Sequence, residues 1–183
     1  MQVSDEGYTI EHELKARKIL EQNTSPTTTF EKNEDMYGYD LKVFRYELYK
    51  NDDYEKQFMG YAEIECSTCW KDSTPPVSWE YLSFLKRKLY TRAKDQWLGP
   101  KQDTDRAIYF RFNHKLNCCY CQKMDYIIEH GRRGNRICSG HNLTGYTDSY
   151  VELPRSQVII GIGSCSEFLD KLVLTYPPYP RIE

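Results

Sequence analysis

No stretch of this 183-residue chain approaches the roughly 18 consecutive apolar residues that a membrane-crossing helix needs. The first six residues, Met1-Gln2-Val3-Ser4-Asp5-Glu6, are polar and acidic and lack the apolar centre of a secretory leader. An intracellular, soluble protein is therefore expected, cytoplasmic or nuclear. An excess of charge of either sign is missing too. The 25 Lys and Arg stand against 27 Asp and Glu, for a formal net charge of −2, so any hold on nucleic acid has to come from local basic patches. His12, His114, His130 and His141 show no metalloprotease spacing, and no Ser or Cys sits in a nucleophile-elbow context, which argues against a hydrolase triad. Gly161-Ile162-Gly163 lacks a third glycine at position 166, which is Ser, so it is no dinucleotide fingerprint.

What the chain does hold is aromatic. Sixteen Tyr and 7 Phe supply large apolar bodies to a hydrophobic fraction of 39%, enough for one folded domain over 1–183 with peripheral tails at 1–7 and 175–183. Seven cysteines are an odd number, and in a reducing compartment they read as thiols or ligands rather than as a disulfide framework. Cys66-x-x-Cys69 and Cys118-Cys119-x-Cys121 resemble two zinc knuckles, so Cys66, Cys69, Cys118 and Cys121 form an alternative zinc set. Against that, on a strand Cys119 and Cys121 share one face while Cys118 takes the other, as buried thiols do.

Helix formers over 8–21 predict a first helix, with Ile10, Leu14 and a shifted group of Arg17, Ile19 and Leu20 near helical spacing. Asn23 to Thr29 breaks it, and a loop is expected up to Gly38. Residues 39–49 and 57–65 predict an antiparallel hairpin across the polar Lys50-Asn51-Asp52-Asp53 turn. Trp79 to Lys94 carries a helical stripe at Tyr81, Phe84, Leu85 and Leu89, and a short helix or a strand-to-helix transition there would present a basic face. Strands are expected at 107–112 and 117–121, a short helix at 122–130, a mobile basic loop at 131–136, and short strands at 150–153 and 157–161. Ser164 with Glu167 has the form of a capping box for a last helix near 165–173. The order predicts an α/β fold, a mixed β-sheet flanked by helices.

Strand alternation puts Glu63 and Glu65 on one face of 57–65, while Ala62 and Ile64 point into a core. The face is either solvated or, with Asp40 beside it on the preceding strand, a cluster of hard oxygen donors that suits Mg²⁺ or Mn²⁺. On the first helix, Glu11 or Glu13 would add a ligand, although a solvated helix face accounts for both. Lys86, Arg87, Lys88, Arg92 and Lys94, with Tyr81, Tyr90 and Trp97 interleaved, and then Arg132, Arg133 and Arg136, are either solvated charges or a surface that tracks a phosphate backbone while aromatics stack on bases.

Asp40, the run Gly60-Tyr61-Ala62-Glu63-Ile64-Glu65, the following Trp70, the basic Lys86-Arg87-Lys88, a strand ending in Asn113 and the late Val151-Glu152-Leu153-Pro154 together resemble the restriction-endonuclease-like nucleases of the PD-(D/E)XK superfamily, in particular small nuclease-like proteins of viral or phage type. The resemblance spans roughly residues 8–162 in element order. It implies a restriction-endonuclease-like fold and phosphodiester hydrolysis with Mg²⁺ or Mn²⁺. Asp40 matches the first Asp of that pattern and Glu63 the metal-binding acid. Glu65 stands where the family usually has Lys, so the group that assists the attacking water is open. It is either Glu65, as third ligand or base, or a basic residue from Lys86, Arg87 or Lys88 approaching from another element. Asp40, Glu63, Glu65 and Lys88 are the candidate catalytic residues. Nucleic acid is the implied partner, DNA ahead of RNA, with a homodimer allowed. The alternative is a non-catalytic nucleic-acid-binding or zinc-stabilised subunit of a larger assembly.

Overall fold

The computed structural model describes residues 5–34, 38–48, 54–67, 70–93, 96–134 and 149–179. Helix α1 (Asp5–Asn23) runs from within the expected N-terminal tail to the Asn23 breaker. Of the apolar residues near helical spacing, Leu20 is buried and Leu14 is exposed. The fully buried residues are Ala16 and Leu20, and Glu13 lies on the same line, three residues before Ala16. After it the β-branched Thr28 and Thr29 with Phe30 form β1 (Thr28–Lys32), where a loop is expected.

The expected hairpin is β2 (Leu41–Leu48) and β3 (Tyr54–Cys66), antiparallel. Then come β4 (Tyr81–Leu85), a single turn α2 (Lys86–Leu89) and β5 (Tyr90–Ala93), which pairs with β6 (Gln96–Pro100). Residues 79–94 thus make the strand-to-helix transition, β4 running into α2, and are mostly strand because Leu82, Ser83, Phe84 and Leu85 are all buried and take up both faces of β4. The rest is β7 (Ala107–Phe112), β8 (Cys119–Lys123), α3 (Met124–His130), β9 (Arg132–Gly134), β10 (Tyr150–Pro154), β11 (Ile159–Ile160) and α4 (Ile162–Thr175). Arg132 to Gly134 belong to a strand paired with β10 rather than to a basic loop. Helix α4 starts two residues before Ser164, capped by Gly161 at φ +107°, with no side-chain cap, and Glu167 pairs with Lys171 along its surface.

The main sheet has six strands in the order β1-β2-β3-β7-β8-β11, with β3 and β7 parallel and the other neighbours antiparallel. This is the mixed α/β domain that the element order predicts. One face packs on α1 and α4 through Leu20, Ala62, Ile64, Phe110, Cys165 and Leu169. The other is covered by the sheet β4-β10-β9 and by α3, through Phe84, Leu89, Tyr109, Tyr120, Met124 and Leu153. Strand β7 is therefore buried along its whole length, as a strand covered on both faces must be. Residues 176–179 fold back, with the Tyr179 ring stacked on Phe58 and the Tyr179 amide donating to the Phe58 carbonyl at 3.0 Å. Among the described residues no helix is long and apolar enough to cross a membrane.

The register of β2 on β3 slips between Val43 and Phe44, which pair with Gly60 and Phe58 and leave Met59 as the extra residue of a bulge. Gly60 adopts φ +151°, and a Cβ there would run into the backbone carbonyl of Arg106. The bulge sets the phase of Tyr61 to Glu65 against Leu41. Gly60→Ala is expected to lower unfolding stability by about 3 kcal/mol in denaturant titration, through strain and overlap together. A loss under about 0.5 kcal/mol would mean that the bulge is not held in this way.

Candidate active site

The face of β3 that carries Glu63 and Glu65 is not solvated, because the second sheet covers it. Glu63 is 2% exposed. Leu41 pairs with Ala62, so Asp40, just before β2, arrives beside Glu63, and the two segments exchange hydrogen bonds. The Asp40 amide donates to Glu63 Oε2 at 3.2 Å and the Ile64 amide donates to Asp40 Oδ2 at 2.9 Å. The two acids separated by 23 residues in sequence meet by strand register.

A buried carboxylate requires a counter-charge, and here it comes from α2. Because Leu85 and Leu89 are buried at either end of the turn, Lys88 is directed inward. Its Nζ lies 2.9 Å from Glu63 Oε1, 3.2 Å from Asp40 Oδ2 and 3.5 Å from the Ile64 carbonyl oxygen. Three oxygens thus converge on one cation. Lys101, just after β6, adds a second ammonium 3.8 Å from Glu63 Oε2. Helix α1 brings Glu13 close enough for Asp40 to act on it.

Burial pushes the Glu63 carboxyl up to about 7, with Asp40 adding to the rise and Lys88 opposing it. Burial alone would lower the Lys88 ammonium, but Glu63 and Asp40 outweigh it and hold it protonated. Glu13 is raised by burial and then by Asp40. Glu11, by contrast, is an exposed partner of Lys15.

Glu65 has different company. Its carboxylate accepts from the Tyr109 hydroxyl and lies 3.3 Å from Arg111 Nε. Arg111, 6% exposed, also donates to the Ser83 carbonyl at 3.0 Å, to Tyr120 Oη at 2.8 Å and to Ser67 Oγ at 3.2 Å. Parallel pairing of β3 with β7 sets Glu65 opposite Arg111 and Glu63 opposite Tyr109. Asn113, at the end of β7, is buried and builds a turn, accepting from the Asn117 and Cys118 amides at 3.0 and 3.1 Å. Trp70 stacks on Tyr120 between the sheets.

The basic residues disperse. Lys86 lies over the rings of Tyr90 and Trp97, 5.5 and 4.8 Å from their centroids, and Arg87 is exposed. Arg132 lies over Tyr81 and 3.5 Å from Glu152, on the second sheet, with Arg133 exposed beside it. Lys94, Arg136 and the side chain of Arg92 lie outside the described residues. Of the cysteine set, Cys69 also lies outside them. Cys118 packs in the layer under the second sheet and Cys121 in the layer under α1 and α4, so these two do not converge. Burial pushes the Cys118 thiol up to about 11. Burial, with Glu13 and Glu65 nearby, pushes Cys66 up to about 12.

Among the described residues no group of three or more His, Cys, Asp and Glu side chains is placed to hold a metal ion. Asp40 and Glu63 with the Ile64 carbonyl are nevertheless a fitting donor set for a hard cation that keeps several waters and takes only one or two carboxylates. Their oxygens already surround one positive charge. Sequence reasoning placed Asp40, Glu63 and Lys88 among the candidates and missed Lys101, which sits in a polar connection without a motif. Glu13 had a signal, its alignment with Ala16 and Leu20.

No protein-family model matches the chain, and no curated protein matches it. Among solved structures, a nuclease from a fusselovirus is similar, with a TM-score of 0.46 and 10% identity over 96% of this chain and 97% of that one.

The charge cluster makes metal-free stability depend on pH. The folded state holds a proton on Glu63 up to about pH 7, whereas the unfolded chain releases it near the ordinary 4.5. More protons are then bound to the folded form, so stability falls as pH rises through that window and levels off above it. Glu63→Gln is expected to flatten this slope in denaturation curves taken between pH 4.5 and 8, leaving the smaller part that the raised Glu13 contributes. Lys88→Met is expected to cost about 3 kcal/mol at pH 8, and less at pH 5.5, where protonated Glu63 needs no partner. Equal costs at both pH values would show that Lys88 does not neutralise Glu63.

Proposed function

We propose that this protein is a divalent-metal-dependent nuclease that hydrolyses phosphodiester bonds of nucleic acid. The observation that carries this reading is the convergence of Asp40 Oδ2, Glu63 Oε1 and the Ile64 carbonyl on the single cation of Lys88. Two carboxylates within reach of one positive point, walled by apolar layers, are the donor set for Mg²⁺ or Mn²⁺. A bound ion of this kind would polarise a water and offset charge on the phosphate. In this reading Asp40 and Glu63 hold the ion.

A bound ion would take the place that the Lys88 ammonium holds between the carboxylates, and Lys88, moved aside, would join Lys101 beside the ion, suited to countering charge that builds up on the phosphate. Glu13 is the nearby carboxylate with a raised proton affinity, and it is the proposed proton acceptor. Glu65, engaged by Tyr109 and Arg111, is assigned a supporting role. It keeps Arg111 neutralised and the end of β3 in place.

Wild type and Asp40→Asn, purified in parallel, are to be incubated with single- and double-stranded DNA and RNA in Mn²⁺, Mg²⁺ or EDTA. Cleavage with either metal, none in EDTA, and a loss of at least about 100-fold in Asp40→Asn are expected. Equal cleavage by both proteins would assign the activity to a contaminant and sink the reading. Absence of cleavage on every substrate would leave a binding protein whose carboxylates are simply neutralised by lysine.

A further inference from the structure

Beside the carboxylates the fold leaves a cavity of about 460 Å³, within the roughly 300–1,000 Å³ span of small-ligand sites. Lys42 on β2 and Tyr61 on β3 are direct cross-strand partners, so their side chains rise together from the same face and form its floor. Tyr39, Thr91 of β5, Lys101 and Asp103 also line it.

Chemistry and position both bear on its occupant. Tyr61 packs on Tyr39 with ring centroids 4.7 Å apart and meets the edge of Phe58 at 5.1 Å, so its ring is braced from two sides. Lys101 Nζ reaches the Gly38 carbonyl at 3.4 Å and Glu63 Oε2 at 3.8 Å. It therefore belongs both to the cavity wall and to the carboxylate centre. Among the described residues, Asp103 is the one acidic group in the lining. An aromatic ring suits a base, two ammonium groups suit a phosphate, and a carboxylate suits an amino or hydroxyl donor. The cavity adjoins the centre through Tyr39, the residue before Asp40, and through Lys101.

We propose that this cavity takes one unpaired nucleotide of the substrate strand, its base against Tyr61 and its phosphate at Lys42 and Lys101. The preferred substrate then carries a single-stranded or gapped position next to the cleaved bond. A base within intact duplex is stacked and paired and reaches such a recess only at the cost of flipping, which an unpaired nucleotide escapes. This specificity rests on the nuclease reading of the neighbouring carboxylates, and its test is kept apart from cleavage.

Binding is measured by fluorescence anisotropy in EDTA, with a labelled single strand of about 12 nucleotides, the blunt duplex of the same sequence, and that duplex with a one-nucleotide gap. Wild type is expected to bind the single strand and the gapped duplex at least about fivefold more tightly than the blunt duplex. Lys42→Gln, a change at a partly exposed strand position, is expected to lose about tenfold on the single strand and under about twofold on the blunt duplex. Equal affinity of wild type for all three probes, an equal loss on every probe, or no loss on any would overturn the proposal. Because no metal is present, none of these outcomes depends on whether Asp40→Asn abolishes cleavage.

Discussion

A carboxylate that is 2% exposed in the middle of a sheet has to be neutralised, and much of the chain between β3 and β7 is arranged around that requirement. Glu63 cannot reach water, so a cation must be delivered to it through an otherwise apolar layer. The delivery depends on the single helical turn α2, which interrupts two strands. Buried Leu85 and Leu89 anchor the turn at both ends, and Lys88 is left pointing at Glu63 and Asp40. The Lys101 amide in turn donates to the Leu89 carbonyl at 3.0 Å. A backbone contact at the end of the turn thus brings in the second ammonium.

The bulge at Met59 works at the other end of the same constraint. Without the extra residue, every side chain from Tyr61 to Glu65 would change faces relative to Leu41. Glu63 would enter the layer of α1 and α4, away from any lysine. Gly60 is the position that lets the bulge form against Arg106. Asp40 and Glu63 meet because of strand pairing, and they meet on the correct face because of a glycine 20 residues after the first acid.

Local pattern was enough for much of this and not for the rest. The hairpin, β7, β8, α3 and α4 follow from alternation or helical spacing in their own residues, and Asp40 with Glu63 follows from the hairpin. Strand β1 did not, because a Thr-rich segment after a helix breaker has the composition of a loop, and it becomes a strand only by pairing with β2. Residues 81–85 resemble a helix because apolar residues at both strand phases mimic helical spacing once both faces are buried. The solvated alternative for the acidic face failed for a related reason. A strand that alternates acid with apolar side chains looks half exposed, and only the second sheet, built from β4, β9 and β10, reveals the acids as interior. Lys101 carried no signal, since its role depends on a close approach across the cavity wall rather than on neighbours in sequence.

Glu63 and Glu65 pose the same electrostatic problem two residues apart, and the structure answers it in two ways. Glu65 faces Arg111, a guanidinium that also donates to Ser83, Tyr120 and Ser67, and the Tyr109 hydroxyl donates to the carboxylate as well. That contact, with the guanidinium held to both layers, has the form of a structural pair. Glu63 faces flexible ammonium groups instead of a planar fork, shares one of them with Asp40, and keeps a proton affinity shifted into the neutral range. An apolar residue would serve the core better at either place. At Glu63 a wall of the same centre opens, through Lys101, into a cavity. Stability alone does not account for leaving a buried acid neutralised by movable cations at the edge of a recess. That difference between neighbouring acids on one strand is the physical reason for assigning chemistry to Glu63 and support to Glu65.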